Sequence, residues 1–74
     1  TRDGNNLHVE VGSVAHPMLP EHYIQWICIA QGNLTQRTSL DPGDPPSADF
    51  VICDGPVVVY AYCNLHGLWK AELN

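Results

Sequence analysis

Helical periodicity is scarce along this chain, whereas β-branched and aromatic residues recur in short runs punctuated by Gly, Pro and Asn. These runs predict strands at Leu7–Val14, His22–Gln31, Leu34–Leu40, Ala48–Cys53, Val57–Cys63 and Leu68–Leu73. Gly32-Asn33 has the form of a two-residue hairpin turn joining the second strand to the third. The stretch Asp41-Pro42-Gly43-Asp44-Pro45-Pro46-Ser47 reads as a surface loop, because prolines cannot donate to a central ladder. Asp54-Gly55-Pro56 reads as a turn before the run Val57-Val58-Val59-Tyr60. Short strands separated by tight turns predict an all-β fold, a small immunoglobulin-like antiparallel β-sandwich. Neither repeats nor a linker divide the sequence, so residues 1–74 are expected to form one domain.

Composition narrows the function. Hydrophobic residues make up 45% of the chain, a globular value that argues against disorder. A chain this short buries only about 60% of the surface it exposes when unfolded, so a metal, disulfide or partner subunit is expected to help hold it. The net charge is −5, with Arg2, Arg37 and Lys70 as the sole cations. That argues against nucleic acid and anionic membrane surfaces as partners, since both demand clustered Lys and Arg. No apolar run approaches the roughly 20 residues that span a bilayer. The stretch Thr1–Asn6 lacks the basic-then-apolar pattern of a secretory leader. An odd count of widely spaced cysteines (Cys28, Cys53, Cys63) points to a reducing, cytoplasmic setting. Cys28 and Cys53 read as small buried hydrophobes within strands, with no signal for a disulfide between them.

Candidate chemistry falls in two clusters. In Ala15-His16-Pro17-Met18-Leu19-Pro20-Glu21-His22, two prolines stiffen the connection, and Pro17 biases His16 towards an extended backbone. A stiff loop has little freedom to lose when it binds a metal. In Cys63-Asn64-Leu65-His66-Gly67, Cys and His three apart on a glycine-relaxed turn can reach one ion together. Spacing alone leaves a plainer reading open. A lone His is commonly a surface or hydrogen-bonded residue, and Cys-x-x-His can pack as an inert turn.

The strings Val11-Gly12-Ser13-Val14-Ala15-His16-Pro17-Met18, Glu21-His22-Tyr23-Ile24 with Trp26, and Cys63-Asn64-Leu65-His66-Gly67-Leu68-Trp69-Lys70 resemble the superoxide reductase family. That family includes the neelaredoxins and the catalytic domain of desulfoferrodoxin. Leu40-Asp41-Pro42-Gly43-Asp44 with Pro46 and Phe50 fits its middle segment, so the similarity runs from about Val9 to Leu73. The resemblance implies an immunoglobulin-like sandwich and a non-haem iron (Fe2+/Fe3+) held by histidines and an axial cysteine thiolate. His16, His22 and His66 match three of those histidines, and Cys63 matches the cysteine. It further implies reduction of superoxide to hydrogen peroxide by one-electron inner-sphere transfer, an electron donor such as rubredoxin, and a homo-oligomer. The thiolate would push electron density towards the bound oxidant.

The family's remaining histidine, with a nearby glutamate and lysine, belongs to a segment upstream of Thr1, so the chain is expected to be short at its N-terminus. His8 lies in the strand leading to His16 and reads as a solvent-facing residue, with a substitute ligand as the alternative. Within the second cluster, Asn64 and Leu65 read equally as turn formers and as backbone donors to the sulfur. Trp26 and Trp69 read as core, with a wall around the site as the alternative. With few cations, slow capture of an anionic oxidant is expected. Two further functions compete. Three histidines and a cysteine also complete a tetrahedral zinc set, the basis of a non-catalytic metal-binding (zinc or iron) module. A metal-free sandwich serving in assembly is the other.

Overall fold

The computed structural model describes residues 2–12 and 18–73. His16, and the expected strand end at Val14, lie outside the described residues. The described chain is all β: β1 (Arg2–Asp3), β2 (Asn6–Glu10), β3 (Ile24–Gln31), β4 (Leu34–Ser39), β5 (Ser47–Val51), β6 (Val57–Cys63) and β7 (Gly67–Leu73). They form two antiparallel sheets, a three-stranded one ordered β1-β2-β5 and a four-stranded one ordered β4-β3-β6-β7. The expected sandwich is what the chain forms. No described helix is long and apolar enough to cross a membrane.

The core follows from the two-residue period of a pleated strand. Val57, Val59, Ala61 and Cys63 of β6 all point inward, against Leu7 of β2 and Ala48 and Phe50 of β5. On β3 the inward residues are Ile24, Ile27 and Ile29, which breaks the period between 24 and 27. The break is a β-bulge: Ile24 pairs with Cys63, but Trp26 pairs with Tyr62, leaving Gln25 as the extra residue. The hairpin at Gly32-Asn33 forms as expected, with Gly32 at φ 59 in the left-handed region. Described non-glycine residues all have negative φ, so the turn is of the type needing one such residue, at its first central position.

Three expectations need correcting. Cys53 lies beyond the end of β5 and is exposed, because Phe50 and Ile52 face inward and parity turns the next residue out. Cys28 is half-buried, and Cys28, Cys53 and Cys63 are all free thiols. Neither tryptophan belongs to the core. Trp26 is half-buried, stacked on Tyr62 at 5.9 Å and capped by the Arg37 guanidinium at 4.7 Å, while Trp69 is exposed.

Candidate metal centre

Two stretches distant in sequence converge at the end of β6. Cys63 is the last residue of that strand, and parity with Val57, Val59 and Ala61 carries its side chain to the buried face, where it has no exposed surface. The Asn64-Leu65-His66 turn then reverses the chain into β7. Gly67 closes it at φ 85, a conformation in which any side chain is strained. His66 is thereby held at the surface beside Cys63.

His22 arrives from the other side. It was expected to open a strand, but it sits in a tight turn ahead of β3. The Leu19 N–H donates to the His22 carbonyl at 2.9 Å, and the His22 N–H donates back to the Leu19 carbonyl at 3.0 Å. Pro20 suits the first central position of such a turn. Tyr23 and Ile24 then carry the chain into β3, and the bulge at Gln25 lets Ile24 pair directly with Cys63. The ring of His22 is half-buried, with Nε2 shielded from solvent, and it meets His66 edge-to-face at 4.7 Å.

A nitrogen of His22, the Cys63 Sγ and a nitrogen of His66 all lie within 4.8 Å of one another. Metal–nitrogen and metal–sulfur bonds of about 2.1 and 2.3 Å place donors on one ion no more than about 4.4 Å apart. That limit belongs to two donors on opposite sides of an ion; three around one ion stand about 3–4 Å apart, so closing on it draws these side chains together by up to about an ångström. Imidazole and thiolate donors suit iron, copper or zinc and not calcium or magnesium. His8 takes no part in this trio. Its Nδ1 lies 2.6 Å from Asp49 on β5 and its Nε2 lies 2.9 Å from Glu10. Its ionisation is raised above the usual 6.5 by those two bonds, Asp49 first.

The family model for desulfoferrodoxin matches residues 2–72. The chain belongs to the desulfoferrodoxin family. The desulfoferrodoxin of Clostridium acetobutylicum is 50% identical over 74 residues, covering 99% of this chain and 58% of that protein. Among solved structures, the superoxide reductase of Treponema pallidum superposes with a TM-score of 0.87 at 40% identity, over 96% of this chain and 59% of that one. The one-iron superoxide reductase of Giardia intestinalis gives 0.85 at 31% identity, over 100% and 91%. The family resemblance carried by the His-Pro-Met and Cys-Asn-Leu-His strings is therefore shown. The chain spans 51–58% of the length of the desulfoferrodoxin relatives that it matches.

Sequence reasoning missed the side chain of Asn64 as a structural link between the two clusters. Its Oδ1 accepts the Tyr23 N–H at 2.9 Å and its Nδ2 donates to the Glu21 carbonyl at 3.2 Å. The only signal was an amide residue between two candidate ligands, which a turn explains equally well.

Proposed function

We propose that this domain, residues 1–74, holds a non-haem iron through His16, His22, Cys63 and His66 and reduces superoxide to hydrogen peroxide. The observation that carries the reading is the meeting of a fully buried cysteine with two histidines from separate elements. Relatives named superoxide reductase support the reaction assigned. Iron bound there would supply the one electron that, with two protons from solvent, turns superoxide into hydrogen peroxide.

The residues divide the work. Burial keeps water off the Cys63 sulfur, so a bound metal would receive its electron density without competition from hydrogen bonds with solvent. Exposed His66 and half-buried His22 set the mouth of the site at the surface, where a small anion arrives without a channel. A one-electron donor such as rubredoxin would approach the same face. Self-association is part of this reading: β7 is the edge of its sheet and presents Leu68, Trp69 and Leu73 to solvent. Three free thiols fit a reducing, cytoplasmic setting.

The test is colour and elemental analysis. The chain loaded anaerobically with Fe2+ and then oxidised should show a visible thiolate-to-iron absorption, and Cys63→Ser should abolish it. A colourless protein carrying zinc would favour the non-catalytic module. A protein retaining neither ion would end the metal reading.

A further inference from the structure

We infer that Asn64 is a positioning residue, whose side chain locks the His22 turn to the Cys63–His66 turn at ligand-sharing distance before any ion arrives. The inference rests on the metal reading above for its purpose, but the clamp itself is a property of the metal-free chain.

Asn64 follows one candidate ligand directly and precedes another by two residues, so its backbone moves with both. Its side chain reaches across to the other stretch and grips it on either side of His22. Oδ1 accepts the N–H of Tyr23 at 2.9 Å, and Nδ2 donates to the carbonyl of Glu21 at 3.2 Å. The Asn64 N–H adds a bond to the Tyr23 carbonyl at 3.3 Å. The ladder of β3 and β6 ends at Ile24–Cys63, so beyond that pair the amide side chain continues the cross-link that regular pairing no longer provides. Aspartate lacks the donor, serine lacks the reach, and glutamine is one methylene too long. Groups that fix ligands from behind are commonly worth ten- to hundredfold in metal affinity.

A clamp of the same chemistry exists elsewhere and serves as the control. Gln31 accepts the Cys53 N–H at 2.8 Å and donates to the Cys53 carbonyl at 2.6 Å, at the end of the sheet away from Cys63. The experiment compares Asn64→Ala and Gln31→Ala with the parent chain, each well below its own unfolding temperature. Fe2+ affinity is measured by anaerobic competition with a chromophoric chelator. Amide exchange of Tyr23 is measured in the metal-free protein.

Asn64→Ala should weaken Fe2+ binding about ten- to hundredfold and displace the visible band of the oxidised form, while Gln31→Ala should keep the parent affinity within about twofold. Should Asn64→Ala not fold, Asn64→Asp retains the oxygen facing Tyr23 and should show a smaller loss of the same sign. Unchanged affinity in the Asn64 variant, or an equal loss in the Gln31 variant, overturns the inference. A parent chain that binds no Fe2+ would refute the metal reading instead. The clamp would then stand on Tyr23 exchange becoming at least about tenfold faster in Asn64→Ala, and fall if exchange were unchanged.

Discussion

Ile27 has no exposed surface and packs at the centre of the cluster shared by both sheets. Ile27→Ala should cost about 2–5 kcal/mol, the range for truncating a buried aliphatic side chain. In a domain of this size that is a large share of the total stability, and urea unfolding would measure it. His8 carries the pH dependence at this scale. Asp49 and Glu10 raise its ionisation above 6.5, so the folded chain binds the proton more tightly than the unfolded one. The resulting stabilisation is complete below pH 6.5 and fades as pH rises through the folded value. At the acid end it lasts until the carboxylates themselves protonate. Asp49→Asn should lower the His8 midpoint seen by NMR, and the slope of stability against pH near neutrality should flatten with it. Residue by residue, the sequence was legible where strand parity speaks: Cys63 falls inward with Val57, Val59 and Ala61. The same parity turns Cys53 outward, a signal masked by its hydrophobic neighbours.

Among the elements, β6 was legible end to end and β3 was not. β6 alternates without interruption, whereas Gln25 inserts an extra residue that no local pattern announces. A bulge is stabilised by its partner strand, and a strand cannot reveal its partner in isolation. His22 sits in a turn and not at a strand start because its backbone pairs with that of Leu19 across Pro20 and Glu21. The turn between Cys63 and Gly67 depends on backbone that only glycine adopts freely. A Cβ at Gly67 would meet open space, yet φ 85 still strains it, so Gly67→Ala should cost about 1–2 kcal/mol through backbone alone. Metal affinity should fall with it, because the turn carries the Cys63 and His66 side chains. The β7 edge offers a second element-level test. Two copies paired antiparallel about Ala71 would set Lys70 against Glu72 and Trp69 against Leu73. Light scattering at rising concentration should show self-association, reduced in Glu72→Lys, where like charges would face one another.

For the molecule as a whole, charge sets the approach of an anion. The net charge is −5, and the described cations are occupied elsewhere: Arg2 binds the Cys53 and Gly55 carbonyls, Arg37 caps Trp26, and Lys70 neighbours Glu72 at 3.5 Å. On the proposed function, superoxide capture should therefore be slow and should not decline as salt is added, the reverse of a cationically steered enzyme; pulse radiolysis across ionic strengths checks this. The cysteines differ in their access to solvent. Cys63 is sealed, whereas Cys53 is open to water before β6 begins, roughly 20 Å away by strand rise. A thiol-directed dye or a maleimide-coated surface would meet Cys53 first and half-buried Cys28 more slowly. The molecule thus carries a ready attachment point, through which it can be tethered or made fluorescent while its sulfur ligand candidate stays chemically untouched.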